Sequence, residues 1–178
     1  SLALQTDLVA LNARRVSVGR PALGTRIGLA SGEVVVGNVG YETRLNYTVM
    51  GDHVNLASRL EGINKRYGTE LVAAQATISA AGSAIVSRAI DKVAVKGKLG
   101  ATVIYEPLAV RSAADAETIR LADNWNRAFA AFQARAWGQA LPVFEAWAAR
   151  NPADLPARQL ATACKQCLAS PPGPEWDG

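Results

Sequence analysis

An amide and a guanidinium one helical turn apart are the side chains of this chain best suited to chemistry. They are Asn55 and Arg59, in the run Asn46-Tyr47-Thr48-Val49-Met50-Gly51-Asp52-His53-Val54-Asn55-Leu56-Ala57-Ser58-Arg59. The run reads as a short strand, a Gly-Asp break and a helix. Side chains at i and i+4 share one helical face, so the two groups project together. A planar, permanently charged fork beside an orienting amide suits a phosphate ester whose charge grows during reaction.

The neighbouring pattern says how such a pair would be held. From Leu45 to Met50 the strand alternates, with Leu45, Tyr47 and Val49 on one side and Asn46, Thr48 and Met50 on the other. Asp52 reads as the N-cap of the helix. Leu56, Leu60 and Ile63 form its buried stripe, which puts Asn55 and Arg59 about 100° round the helix, at the edge of the core. Upstream, residues 1 to 18 show helical spacing through Leu4, Leu8 and Leu11, and Gly19-Arg20-Pro21 ends that helix. Two strand-like runs, Thr25 to Ala30 and Glu33 to Val36, flank Ser31-Gly32 as a hairpin would. Glycines 28, 32, 37 and 40 form no phosphate loop and are assigned to hairpin geometry. Downstream come a strand at Leu71 to Ala74, a short helix near Thr77 to Ala81 and strands at Ile85 to Ile90, Val93 to Lys96 and Val103 to Tyr105. The fold class is α+β, with helices on one face of a mainly antiparallel sheet.

The 178 residues are 49% hydrophobic and 19% charged, a globular composition. The net charge of +4 is scattered, with no arginine-rich block, which argues against nucleic acid as a partner. No apolar run approaches the roughly 20 residues of a membrane span. Cys164 and Cys167 form a lone CxxC, and His53, the one histidine, is distant in sequence, so zinc is not expected. The opening Ser1-Leu2-Ala3, without an initiator methionine, is read as the start of a piece of a longer protein.

The Asn46 to Arg59 run resembles the signature of the class III nucleotidyl cyclases. So do Arg26-Ile27-Gly28-Leu29-Ala30-Ser31-Gly32-Glu33-Val34-Val35-Val36-Gly37-Asn38, Leu60-Glu61-Gly62 and Val95-Lys96-Gly97-Lys98. The resemblance covers residues 1–108 and implies a ferredoxin-like fold that is incomplete at its N-terminal side. It implies that Asn55 orients the ribose and that Arg59 stabilises the α-phosphate while the 3′-hydroxyl attacks and pyrophosphate leaves. Lys96 falls where the family contacts the terminal phosphates, although lysines beside a turn glycine are ordinarily just solvated. Thr48 falls at the purine-reading position, where many adenylyl cyclases have Asp and a bacterial subset linked with bicarbonate stimulation has Thr. ATP is therefore favoured over GTP. Without the resemblance, Asn55 and Arg59 would read as a surface pair making local salt bridges.

The resemblance also implies two Mg²⁺ or Mn²⁺ ions, held in the family on two aspartates in stretches preceding the matched region. Asp7, Glu33, Asp52, Glu61 and Asp91 form no metal-ligand pattern, so no metal ligand is assigned. Family sites form between two domains facing head to tail, so a homodimer through residues 1–108 is expected, with this chain one wall of a shared site and inert alone. Residues 109–114 read as a linker and 171–178 as a Pro-rich tail or linker. Residues 115–170 read as a helical extension, with Ala128, Trp137, Ala140, Phe144 and Pro152 spaced as in a tetratricopeptide repeat. One such unit cannot bury its own face, so it is expected to dock on the cyclase-like part or on a protein partner. The parent is expected to be a bacterial, cytoplasmic adenylate cyclase, or the cytoplasmic part of a membrane-anchored one. The alternative is a non-catalytic cyclase-like module for dimerisation and regulation.

Overall fold

A computed structural model describes residues 1–41, 44–94 and 101–176, with the backbone alone at 41, 44 and 45. In order, the elements are α1 (Leu2–Ser17), β1 (Ile27–Leu29), β2 (Val35–Tyr41), β3 (Arg44–Met50), α2 (Asp52–Tyr67), β4 (Leu71–Ala74) and α3 (Gln75–Ala81). Then come β5 (Ile85–Ala94), β6 (Ala101–Val110), α4 (Ala116–Gln133), α5 (Trp137–Arg150) and α6 (Leu155–Ala169). The class is α+β. The chain divides into two compact units, Ser1–Gly82 with Ala94–Thr102, and Ser83–Val93 with Val103–Gly178.

In the first unit the two strand-like runs around Ser31-Gly32 do not pair with each other. Instead β1 pairs in parallel with β4, Gly28 opposite Val72, while β2 pairs antiparallel with β3, Val36 opposite Val49 and Gly37 opposite Thr48. β4 is fully buried beside β1, and both strands pack against the buried stripe of α2. That stripe is Leu56, Leu60, Asn64 and Tyr67, with Ile63 only half-buried. The helix α1 forms as its spacing predicts, yet none of its residues is buried, and Leu4 remains 48% exposed. Asn12 holds the segment that follows α1, donating to the Leu23 carbonyl at 2.9 Å and accepting from its N–H at 2.8 Å.

In the second unit Ile85 to Ile90 and the start of the run predicted at Val93 to Lys96 lie in one strand, β5, with β6 as its neighbour, while residues 95 and 96 lie outside the described residues. Its core joins Ala89 to Trp125, Phe129, Phe132, Trp137, Phe144 and Leu160 of the three helices. The side chain of Arg88 lies at the centre of a polar knot within this unit. Its guanidinium contacts Glu106 and Asp154, each at 2.6 Å, and stacks over the rings of Trp125 and Trp147 at 4.9 and 4.7 Å. Asp154 also caps α6 by accepting from Ala157 N–H at 3.0 Å. Segment 171–176 packs back on the corner between α4 and α5. There Arg135, in a left-handed conformation at φ 63°, donates to the carbonyls of Gly173 and Pro174, and Trp176 meets Phe132 and Trp137 edge-on.

Three outcomes follow from this packing. Arg88→Ala leaves the Asp154 and Glu106 carboxylates without their cation and is expected to cost roughly 3–5 kcal/mol, read from the urea midpoint. Burial, then the nearby Cys167 and Glu145, pushes the Cys164 thiol from 9.0 up to about 11. At pH 8 a thiol reagent is therefore expected to modify the half-buried Cys167 first and Cys164 only on unfolding. Because the folded state holds that proton longer, its contribution to stability is whole below pH 9.0 and is lost as the pH rises through about 11, which a melting series between pH 8 and 11 reads out.

Candidate functional site

The hairpin β2–β3 delivers Thr48, and the chain then turns at Gly51 into α2. Gly51 is the N-cap, with φ 147° and ψ 168°, a conformation L side chains rarely adopt. Asp52 is therefore not the cap, since it already belongs to the first turn. Its carboxylate sits at the positive end of the helix dipole instead. The Gly51 carbonyl accepts from the N–H groups of Val54 and Asn55 at 3.1 and 3.2 Å, which starts the helix at once.

Asn55 and Arg59 lie on α2 with about 6 Å of helical rise between them. Both are exposed, while Leu56 and Leu60 beside them are buried at 6% and 0%. The structure thus brings amide and guanidinium to one solvent-facing rim, as their spacing predicts. Thr48 is also exposed, near the end of the strand that feeds this helix. Its cross-strand neighbour is Gly37, so no side chain stands directly beside it on that face. Glu33, Val34, Val35, Met50 and Gly51 outline an open hollow of about 510 Å³ at the root of the hairpin. A second cleft, about 390 Å³ and lined in part by Arg26, Glu61, Lys65 and Glu70, lies towards the other end of α2 and does not include Asn55 or Arg59. Lys96 and Lys98 lie outside the described residues.

The far end of α2 is fixed by a residue the sequence pattern did not single out. Asn64 is fully buried and donates to the carbonyl of Ile27 in β1 at 3.0 Å, while its own carbonyl oxygen accepts from Thr69 Oγ1 at 2.8 Å. A buried amide with these bonds is costly to disturb, because each freed backbone group loses its partner. Its i+4 relation to Leu60 was the available signal, masked by its polarity. Gly68 closes the helix in the left-handed conformation, φ 65°.

Such an arrangement can bind an anionic ester from one side. Arg59 is permanently cationic, the α2 N-terminus adds the positive end of its dipole, and Asn55 offers both a donor and an acceptor. Among the described residues no group of three or more His, Cys, Asp or Glu could hold a metal ion. The residues described therefore do not fit the two ions that the resemblance implies.

Residues 2–106 match the family described as the adenylate and guanylate cyclase catalytic domain. The chain is 42% identical over 110 residues to adenylate cyclase 1 of Rhizobium meliloti, covering 62% of this chain and 16% of that protein. It is 42% identical over 91 residues to an adenylate cyclase of Anabaena cylindrica, covering 49% of this chain and 18% of that one. The chain thus spans under a fifth of the length of either relative. Among solved structures, the adenylyl cyclase CyaB from P. aeruginosa matches with a TM-score of 0.54 and 30% identity, over 64% of this chain and 58% of that one. With well over half of its residues matched, this chain belongs to the adenylate and guanylate cyclase catalytic domain family.

Proposed function

We propose that this chain supplies one wall of an adenylate cyclase site, in a parent that converts ATP to 3′,5′-cyclic AMP and pyrophosphate. The observation that carries the reading is the placement of Asn55 and Arg59, exposed on the rim of a helix whose next residues are buried, directly after the strand bearing Thr48. Asn55 would hold the ribose so that its 3′-hydroxyl lines up with the α-phosphorus. Arg59 would meet the negative charge that builds on the α-phosphoryl oxygens, where a fixed cation does most for the rate. Thr48, with a hydroxyl that both donates and accepts, would read the purine edge, and Lys96 would contact the terminal phosphates. The adenylate cyclase names of both relatives support ATP over GTP.

The carboxylates for the divalent ions would come from outside the described residues. A homodimer would complete the site. The exposed apolar side chains of the hairpin, with Val35 65% and Tyr47 75% exposed, support a covered surface there. The helical segment, residues 115–170, stays a proposed surface for a protein partner. No helix among the described residues is long and apolar enough to cross a membrane, and a cytoplasmic location is part of the proposal. The division at residues 108 and 115 belongs to it as well.

The first test is incubation with Mn²⁺ and either ATP or GTP, for this chain and for its longer parent. Cyclic AMP from the parent and none from this chain is the expected result. In the parent, Arg59→Ala is expected to lower turnover about 100- to 1,000-fold, with the melting temperature unchanged because the side chain is exposed. Near-normal turnover in that variant would rule out the role given to Arg59, whereas no cyclic nucleotide from the unmodified parent would favour a non-catalytic module.

A further inference from the structure

The turns of α2 that carry Asn55 and Arg59 rest on two glycines. At Gly28, in the middle of β1, an added methyl would fall 2.1 Å from the Ala57 carbonyl oxygen, 2.4 Å from the Glu61 nitrogen and 2.9 Å from the Leu60 carbonyl carbon. All three are backbone atoms, on the turn that contains Arg59, so no side chain can swing aside. At Gly32 an added methyl would fall 2.1 to 2.3 Å from three ring atoms of His53. His53 is in the first turn of α2, two residues before Asn55, and its Nδ1 lies 3.2 Å from the Glu33 carbonyl oxygen. Neither glycine is among those with positive φ, so conformational freedom is not what these positions need. They need room.

We infer that Gly28 and Gly32 are positioning residues, which set how deeply α2 sits against β1 and therefore where Asn55 and Arg59 stand at the nucleotide wall. This rests on the reading of those two side chains as site residues. Gly28 governs the turn bearing Arg59, and Gly32 governs the first turn through the His53 ring. Thr48 is carried by β3 and is not moved by either, so purine recognition is spared while the reacting groups are displaced.

The test uses the longer parent with ATP. Gly32→Ala is expected to lower kcat about tenfold while KM changes less than about threefold, in line with the sensitivity of aligned reactions to displacements near 1 Å. Adding His53→Ala to Gly32→Ala removes the obstructing ring and is expected to recover most of the lost kcat. A loss that the second change does not recover overturns the inference. Gly28→Ala is expected to lower kcat alone but to add little on top of Arg59→Ala, because both act through one group. Full additivity overturns it. Melting curves identify a variant that fails to fold, and if Gly28→Ala does so the Gly32 and His53 pair decides. If Arg59→Ala keeps full turnover, the site reading falls and the inference with it. If Arg59→Ala is inactive but Gly32→Ala is silent, only the inference falls.

Discussion

The close approach of α2 to β1 is the contact on which the first unit depends. Leu56 and Leu60 are buried in it, Asn64 reaches across to the Ile27 carbonyl, and β4 lies beside β1 in parallel register. A helix carrying an ordinary side chain beneath it would ride higher and lose van der Waals contact along its whole length, since interiors are packed nearly as densely as organic crystals. Everything solvent-facing on α2 inherits its position from this contact. The reactive pair is thus aligned by apolar burial on the opposite side of the same helix.

The second unit is organised by a buried charge. Arg88 places a guanidinium where it is almost out of water, and such a group costs several kcal/mol to desolvate. Here the cost is offset by two carboxylates and by two indole faces, each of which attracts a desolvated cation by roughly 2 kcal/mol or more. The partners come from β6, α4, α5 and the turn before α6, so one side chain fixes the relative placement of four segments. An apolar residue of the same size could fill the space but would not select among helix registers in this way.

How much of this was legible depended on distance along the chain. The strand bearing Thr48, the break and the helix bearing Asn55 and Arg59 were legible because period-2 and period-3.6 patterns are local, and so was the i, i+4 pairing. The partner of β1 was not. Thr25 to Ala30 and Glu33 to Val36 look like a hairpin at short range, whereas β1 pairs with β4 beyond an entire hairpin and helix. Gly32 is set by the His53 ring, and no local rule reports a steric contact from across a fold. Asp52 looked like a cap because caps are polar, but the preceding glycine could adopt the backbone geometry and took the position. Asn64 and Arg88 were invisible for a shared reason: buried polar residues are identified by their partners, and those partners are distant in sequence.

The outer side of β5 shows what a side-chain amide can do for a sheet. Asn126 accepts from the Ala89 N–H at 2.9 Å and donates to the Ser87 carbonyl at 2.8 Å, the same two bonds a further strand would make. Trp125 takes the Ala89 carbonyl at 2.6 Å. With those groups engaged, the strand no longer offers a continuous row of donors and acceptors to an incoming chain. Crowded, partly unfolded or newly made copies of this protein are thereby denied a template for edge-to-edge polymerisation along this stretch, by two residues of a helix.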